Sequence, residues 1–376
     1  MKRLFGLVLT GLVFLGVFSA PVRADDTVKV WTQNLYLGAD LAPVIEAAME
    51  GTAFDPAAEL ALQQMGANLF PLRAQRLATE IALNEPDLIA LQEVENITLN
   101  GANDRPPFVD YLKTLLDALA LRGQHYELVA TVKNLDLEVE VAPYGTVHVV
   151  DRDVILAREG VTANPLSLCF DKSVDGCTYS TIIKLTPLPP PAPLEIDIKR
   201  GYVGVKALVR GKSVLFVNTH LEERELVPGD TQAAGIQSAQ AAELVGVLDN
   251  LPTEYQGIPH ILLGDFNSSP RDAQIDSIPT PYQIIISDLG KGNGFTDAWT
   301  KNLLALLDPK GYTCCQEADL ANKTSLLDQR IDLIFVRNQR FQPWAFVTTR
   351  VPLLPLSLPP NWASDHGGVF AKLVFK

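Results

Sequence analysis

Short apolar runs with polar residues at one end are the most informative pattern in this sequence. Four runs, at residues 28–31, 88–91, 214–217 and 261–263, are followed by Asn34, by Glu93, by His220, and by Asp265 with Asn267. Two later runs are reversed: Asp332 precedes residues 333–336, and Asp365 with His366 precedes residues 369–373. Continuous apolar runs are typical of strands buried on both faces. If the reversed strands run antiparallel to the others, all the polar ends meet at one edge of the fold.

Helical spacing of apolar residues predicts five helices, at residues 41–50, 56–65, 73–84, 108–121 and 231–250. The third ends before Pro86, because proline disfavours helix at the residue that precedes it. Residues 201–209 and 213–218 flank the turn Arg210-Gly211-Lys212 and predict a hairpin, whereas the proline-rich residues 187–193 predict a loop. Helices that alternate with buried strands indicate an α/β protein.

The N-terminus predicts a secretory signal peptide. Lys2 and Arg3 precede an apolar stretch at residues 4–18, and small residues follow at a typical cleavage position. The stretch is too short for a membrane span. We therefore expect residues 1–24 to be removed, residues 25–376 to form one domain, and the mature protein to be secreted or periplasmic.

Four cysteines fit an oxidising compartment. Cys169 and Cys177 bracket a short turn-rich segment, whereas Cys314 and Cys315 are adjacent. Four cysteines allow three pairings, and the sequence does not choose among them. Their spacing matches no zinc signature.

The chain is strongly acidic. Its formal charge is −13, and the expected removal of residues 1–24, which hold three basic residues and no acid, makes it −16. Such a surface repels the nucleic acid backbone and argues against a protein that holds DNA in a stable complex. It does not exclude an enzyme whose metal ion supplies local positive charge.

The polar strand ends carry the ligands of a hard cation. Glu93, Asp265, Asp365 and Asn34 offer oxygen atoms, which suit Mg²⁺, Mn²⁺ or Ca²⁺ better than zinc. Asp265 and Asn267 are two residues apart, so their side chains point the same way on a strand end. The sequence therefore predicts a magnesium-type site that also holds a phosphate.

His366 is the best candidate for a general base, because its ordinary pKa lies near neutrality. Asp332 is the natural carboxylate to orient it, and His220 is a candidate donor of a hydrogen bond or proton to the phosphate. A single acid or histidine at a strand end is usually structural. The coincidence of six such ends favours a catalytic site instead.

Six motifs resemble those of the endonuclease/exonuclease/phosphatase superfamily, which includes the DNase I-like nucleases. In chain order they are Trp31-Thr32-Gln33-Asn34, Leu91-Gln92-Glu93-Val94, Asn218-Thr219-His220-Leu221, Gly264-Asp265-Phe266-Asn267, Arg330-Ile331-Asp332 and Ser364-Asp365-His366. The resemblance implies a four-layer sandwich of two packed mixed β-sheets flanked by helices. It also implies Mg²⁺ held chiefly by Glu93 with Asn34 and Asp365 nearby, and Asp265 and Asn267 around the attacking water.

The resemblance further implies a His366–Asp332 pair and a phosphate-contacting His220. It places the strand at residues 152–158 in the centre of a sheet, with Asp153 where the superfamily frequently has Asn, so we assign Asp153 no catalytic role. Residues 41–72 lengthen the gap between Asn34 and Glu93 beyond that of the compact nucleases.

These features predict an exported, monomeric, metal-dependent phosphodiesterase, with a nuclease as the leading form. The alternative is a phospholipid or sphingomyelin phosphodiesterase, or an inositol-phosphate phosphatase. The leucine- and proline-rich residues 351–360 would then offer peripheral membrane contact next to Asp365. A third possibility is a non-catalytic binding module of the same fold, since fold alone does not fix function.

Overall fold

The structure is a computed structural model that describes residues 26–100, 109–169, 176–185, 196–225, 232–287, 294–348, 352 and 360–376. The expected signal peptide and the proline-rich loop at residues 187–193 lie outside these residues. So do residues 351 and 353–359, and with them most of the segment for which we expect membrane contact.

Seventeen strands lie in the described part of the chain. They are β1 (Thr27–Asn34), β2 (Leu88–Gln92), β3 (Asn96–Asn100), β4 (Val109–Asp110), β5 (Tyr126–Val141), β6 (Gly145–Arg158), β7 (Thr162–Pro165), β8 (Cys177–Thr178), β9 (Ile183–Leu185), β10 (Ile196–Ile198), β11 (Gly201–Val209), β12 (Lys212–His220), β13 (His260–Asp265), β14 (Thr296–Asp297), β15 (Asp332–Arg337), β16 (Phe341–Val347) and β17 (Val369–Phe375).

The helices of the same residues are α1 (Ala42–Glu50), α2 (Phe54–Ala67), α3 (Phe70–Asn84), α4 (Tyr111–Ala120), α5 (Gln232–Asp249), α6 (Thr253–Gln256) and α7 (Pro281–Ile286). Two short 3₁₀ helices cover Ala298–Lys301 and Leu303–Leu306. None of these helices is both long and apolar enough to cross a bilayer.

The strands form two large mixed sheets. One has the order β16-β17-β1-β2-β6-β3-β4, with β5 paired to β6, and the other has the order β14-β15-β13-β12-β11-β7, with β8 paired to β11. Apolar side chains of both sheets form one central core, to which Val30 of β1 and Phe216 of β12 contribute. Helices α3 and α4 cover the outer face of the first sheet, and α5 and α7 cover the second. The predicted four-layer sandwich is thus confirmed.

The strand directions also agree with the prediction. β1 is parallel to β2, and β12 is parallel to β13. The two reversed runs, β15 and β17, pair antiparallel with β13 and β1. The polar residues at the ends of these strands therefore face one edge of the sandwich.

All five predicted helices are present, with shifted ends. The largest shifts are of three residues: α4 begins at Tyr111 rather than at residue 108, because Val109–Asp110 forms β4, and α3 begins at Phe70 rather than at residue 73. Phe70 stacks on Tyr111 at the start of α4, with ring centroids 3.6 Å apart, so tertiary packing extends the helix N-terminally. The β11–β12 hairpin is confirmed with a two-residue turn at Arg210 and Gly211. The sequence did not predict β5 or the full length of β6.

Two disulfides join Cys169 to Cys177 and Cys314 to Cys315. Of the three pairings that the sequence left open, the structure has the one that joins the cysteines nearest to each other along the chain.

A pH effect on stability is expected from His260, a buried residue at the start of β13. The side chain of Arg337 donates to its Nδ1 at 3.1 Å, and its Nε2 lies 2.9 Å from the carbonyl of Tyr255, so the neutral ring satisfies both contacts. Burial, chiefly, lowers the pKa of His260 to about 4. In the unfolded chain its pKa is roughly 6.5, so between these values the unfolded state binds the extra proton.

The neutral ring of His260 therefore makes its full contribution to the free energy of unfolding above about pH 6.5. That contribution falls by about 3 kcal/mol as the pH drops toward 4. Urea unfolding of the native protein and of His260→Gln at pH 7 and pH 4 checks this. Between pH 7 and pH 4 the free energy of unfolding should fall by about 3 kcal/mol more in the native protein than in His260→Gln. Equal losses would contradict the assignment.

Candidate active site

Three neighbouring strands of the second sheet place three of the predicted site residues in one row. His220 ends β12 and lies opposite Asp265 at the end of β13, and Asp265 lies opposite Asp332 at the start of β15. All three side chains are buried. The edge of the sheet thus brings together residues that are 112 positions apart in the chain because their strands are hydrogen-bonded neighbours.

Asn34 joins the first sheet to this row. Its Nδ2 donates to Glu93 Oε1 at 2.9 Å and to Asp265 Oδ2 at 3.0 Å. Its Oδ1 accepts from the backbone N–H of Tyr36 at 2.8 Å, which fixes the orientation of the amide. Asn34 therefore holds the two carboxylates together, a role in addition to the metal ligation expected from the sequence.

His366 and Asp332 form the predicted pair. His366 Nδ1 lies 2.8 Å from Asp332 Oδ2, and its Nε2 lies 3.8 Å from Asp265 Oδ2. With Nδ1 donating to Asp332, Nε2 is the nitrogen that can accept a proton. Burial alone would lower the pKa of His366, but the carboxylates of Asp332, Asp365 and Asp265 outweigh it and raise the pKa well above its ordinary value. A cation bound among these carboxylates would offset their charge and restore a base of near-neutral pKa.

His220 has the opposite environment. Burial, the guanidinium of Arg200 and the nearby His366 lower its pKa well below the ordinary value, so it is neutral. Donors lie beside both ring nitrogens, with Arg200 Nη1 3.2 Å from His220 Nδ1 and Asn267 Nδ2 3.3 Å from Nε2. The bond from the charged guanidinium is the stronger and shorter one, so Nδ1 accepts and the proton of the neutral ring is on Nε2. That nitrogen lies 3.7 Å from Asp265 Oδ2. His220 can therefore donate a hydrogen bond into the site.

Asn267 and Asp365 complete the set. The backbone N–H of Asn267 donates to Asp265 Oδ1 at 2.9 Å, and its Nδ2 donates to the carbonyl of Leu221 at 3.0 Å. Asp365 lines the same cavity as Glu93 and His366, and burial raises its pKa to about 7. All eight residues predicted from the sequence thus lie around one site.

Several turns at the site have left-handed backbone geometry. Tyr36, Glu93 and Asn267 follow β1, β2 and β13 with φ of 60°, 53° and 46°. Such a conformation is costly for residues other than glycine and is often retained at functional sites. At Gly264, where φ is 147°, a Cβ would collide with the carbonyl oxygen of Thr219. Glycine thus lets β13 lie close to β12 just before Asp265.

The donor set fits a divalent cation. Glu93, Asp265 and Asp365 supply carboxylate oxygens beside the site, which is the chemistry that Mg²⁺, Mn²⁺ and Ca²⁺ prefer. Ligand atoms of Asp265, Asp332 and His366 lie within 4.8 Å of one another. Asp332 Oδ1 is buried and accepts no hydrogen bond in the described structure.

A cavity of about 760 Å³ opens onto these residues. Glu93, Asp265 and His366 are among the residues that line it. Helices α1 and α2, the segment before them, and strands β5 and β6 contribute an apolar part of its lining, in which most side chains also pack against one another: Leu37, Leu41, Val44, Ile45, Phe54, Leu62, Met65, Val139, Val141, Val147 and Val149. The segment at residues 41–72 that lengthens the sequence between Asn34 and Glu93 therefore builds much of this apolar wall.

Arg200, Glu222 and Asp153 also lie beside the predicted site residues; the sequence analysis did not predict Arg200 or Glu222, and it assigned Asp153 no catalytic role. Arg200 binds Glu222, with Nη2 3.3 Å from Oε1, and Asp153 Oδ1 lies 3.9 Å from His220 Nδ1. Asp153 carried a signal, since an acid interrupts the apolar face of β6. Arg200 sits in an ordinary Lys-Arg-Gly turn, and only the pairing of β11 with β12 brings it to His220.

Comparison with solved structures gives the same fold. A mannosyl-6-phosphatase from Bacteroides thetaiotaomicron has a TM-score of 0.51 at 18% identity, covering 93% of this chain and 100% of that one. A truncated TDP2 from Caenorhabditis elegans has a TM-score of 0.50 at 14% identity, covering 93% and 98%. An endonuclease/exonuclease/phosphatase from Beutenbergia cavernae has a TM-score of 0.50 at 20% identity, covering 93% and 72%. At these identities the likeness is one of fold.

The fold and the cluster of carboxylates and imidazoles are those of a phosphoester hydrolase. The chain belongs to the Endonuclease/Exonuclease/phosphatase family, because the sequence model of that family matches residues 64–366. Members of this superfamily act on phosphoester bonds and are typically dependent on a divalent metal. Comparison with curated proteins gives no match.

Proposed function

We propose that this protein is an exported, divalent-metal-dependent phosphodiesterase in which His366 activates the attacking water. The observation that carries the proposal is the Asp332–His366–Asp265 alignment. Asp332 accepts from Nδ1 at 2.8 Å, which leaves Nε2 on the side of Asp265, and both His366 and Asp265 line the cavity. This is the arrangement that a general base and its orienting carboxylate require.

Glu93 and Asp365, with Asp265, would hold the cation, and Asn34 keeps Glu93 and Asp265 together. A divalent cation at this position supplies charge that polarises the phosphoryl oxygens and offsets charge on the leaving group. Neutral His220 donates its Nε2–H to a phosphoryl oxygen. The amide of Asn267 is held by Leu221 beside that position.

Two lines support export. The sequence predicts a signal peptide over residues 1–24. The four cysteines form two disulfides, which persist in oxidising compartments such as the periplasm or the extracellular space.

The cavity bears on the choice of substrate. Nucleic acid is the leading substrate on sequence grounds, but part of the cavity lining is apolar and its acidic residues outnumber its basic ones. Such a surface does not complement a long polyanion, whereas apolar walls favour burial of alkyl groups. This observation favours the second candidate, a lipid phosphodiester with its head-group phosphate at the site.

A substrate panel tests the proposal. The purified protein with Mg²⁺ or Mn²⁺ is incubated with plasmid DNA, RNA, sphingomyelin vesicles, an inositol phosphate and a sugar 6-phosphate, the last because a structural neighbour is a mannosyl-6-phosphatase. We expect hydrolysis that EDTA abolishes, and the fastest turnover on the lipid. Nicking of the plasmid alone would instead support the nuclease, and no hydrolysis of any substrate would contradict the enzyme assignment.

Val44→Glu places a charge on the apolar wall without touching the site residues. It should slow turnover of the lipid and leave turnover of the sugar phosphate, if any, unchanged. Glu46→Gln on the exposed side of the same helix is the matched control.

A further inference from the structure

Three acidic residues lie beside the site but take no part in the chemistry proposed above. Glu95 precedes β3, and Asp151 and Asp153 are two apart on β6, so the latter share one face of the strand. Ile155, next along that face, packs in the core between the sheets. The row formed by Glu95, Asp151 and Asp153, here called the acidic row, therefore faces inward, and its exposed fractions are only 4%, 9% and 0%.

The acidic row is short of hydrogen-bond donors. Glu95 Oε2, Asp151 Oδ1 and Asp153 Oδ1 are buried and accept no hydrogen bond in the described structure, and Asn134 Oδ1 beside them is in the same condition. Asp153 Oδ2 accepts from Asn134 Nδ2 at 2.9 Å. Buried carboxylate oxygens are costly unless they are paired or bound to a metal. Glu95 and Asp151 hydrogen-bond each other, and Asp151 also accepts from the side chain of Asn134 and from the backbone N–H of Arg152. A cation bound in place of the proton between Glu95 and Asp151 would also satisfy the oxygen atoms that are left without a donor.

Nearby basic side chains do not meet this need. The guanidinium of Arg200 contacts Glu222 and His220, and that of Arg152 bonds the carbonyl of Val94 and the carboxylate of Asp110. Neither guanidinium donates a hydrogen bond to the acidic row, and the charge of Arg200 offsets only part of the rise that burial causes in the pKa of Asp151 and of Asp153.

The surrounding cavity is also acidic. Its described lining includes nine carboxylates, those of Asp40, Glu93, Glu95, Asp151, Glu222, Glu223, Glu225, Asp265 and Asp365, against three basic residues, Lys199, Arg200 and Arg224. A single divalent ion offsets two of these negative charges. A phosphate anion would then still enter a strongly negative cavity, whereas a second ion would reduce the repulsion.

We propose that Glu95 and Asp151 bind a second divalent cation, distinct from the one assigned to Glu93. Both residues line the cavity. Asp153 and Asn134 border the site, where Asp153 holds the amide group of Asn134 by accepting from its Nδ2. Oxygen donors alone make this a site for Ca²⁺, Mg²⁺ or Mn²⁺ rather than for a soft metal. The site does not depend on His366 or on the identity of the substrate.

Calcium titration tests the second site directly. Isothermal calorimetry of the full chain with CaCl₂ should give two ions per molecule. Glu95→Gln and Asp151→Asn should each lose one ion, or weaken it at least ~10-fold, and keep the other. Glu93→Gln should lose the other ion and keep the one at Glu95. Glu138→Gln, an exposed carboxylate on β5, is the control and should bind two.

Thermal unfolding separates loss of the ion from loss of the fold. An ion that binds only the folded state raises Tm. In EDTA, Glu95→Gln should be at least as stable as the native protein because it relieves repulsion within the acidic row, and Ca²⁺ should raise its Tm less. One ion per molecule that only Glu93→Gln removes would overturn the proposal, and a proton shared by Glu95 and Asp151 would then satisfy the row. Two ions retained by both Glu95→Gln and Asp151→Asn would overturn it equally.

Discussion

His366→Gln is expected to lower kcat on any substrate that the protein hydrolyses by roughly 10²–10⁴-fold, the usual contribution of a general base. Glutamine is uncharged and keeps a polar side chain, but it cannot take a proton from water near neutral pH. His366 is buried and its backbone N–H is held by Ser364 Oγ at 3.1 Å, so the replacement should leave the backbone in place. Steady-state kinetics with a saturating metal concentration measures the loss.

Asp332→Asn extends the same test. The amide can donate to Nδ1 and so favour the tautomer with the proton on Nε2, which cannot act as a base. A loss comparable to that of His366→Gln is therefore expected, with KM nearly unchanged because neither residue is assigned to substrate binding. His125→Gln, at an exposed histidine, serves as the control. Full turnover by His366→Gln would show that another group activates the water.

Eight residues of the site could be predicted from the sequence because polar residues at strand ends follow a simple rule. A buried strand needs a continuous apolar run, and a polar residue at either end of that run stands at the edge of the sheet. His220, Asp265 and Asp332 obey this rule, and strand pairing sets them in one register row. The antiparallel direction of β15 and β17 was predicted in the same way, because their polar residues come before the apolar run instead of after it.

Contacts between segments that are distant in the chain could not be predicted from the sequence. The role of Asn34 in joining Glu93 to Asp265 depends on how the two sheets meet, and Arg200 reaches His220 only through a hairpin. The long β5–β6 hairpin was missed because the outer half of β5 alternates exposed and half-buried residues, the outer half of β6 is mostly half-buried, and neither has a continuous apolar run there. Periodicity also predicted helices near residues 41–65 without indicating that they form the wall of a cavity.

The largest effect on stability is expected at Arg73, a fully buried residue of α3. Its guanidinium uses five hydrogen bonds, and the acceptors are the carbonyls of Asn68, Leu35, Ala363 and Tyr36 and the hydroxyl of Tyr111. Five is the full donor capacity of an arginine side chain. Arg73 therefore ties the loop after Asn34 to the segment before Asp365, although nothing in its sequence context distinguishes it from an ordinary helix-surface arginine.

Arg73→Met should lower the free energy of unfolding by about 3–5 kcal/mol, because it leaves four buried carbonyl oxygens without a donor. Arg73→Lys should also be strongly destabilising, since an ammonium group has three donors and cannot match the planar fork. Arg76→Met is the matched control one turn away: Arg76 is only partly buried and pairs with Glu80 at 2.7 Å, so a loss under about 1 kcal/mol is expected. Urea unfolding measures all three. Equal stability of Arg73→Met and Arg76→Met would mean that water, rather than Arg73, satisfies these carbonyls, and the placement of Asn34 and Asp365 would then have to depend on their own strands.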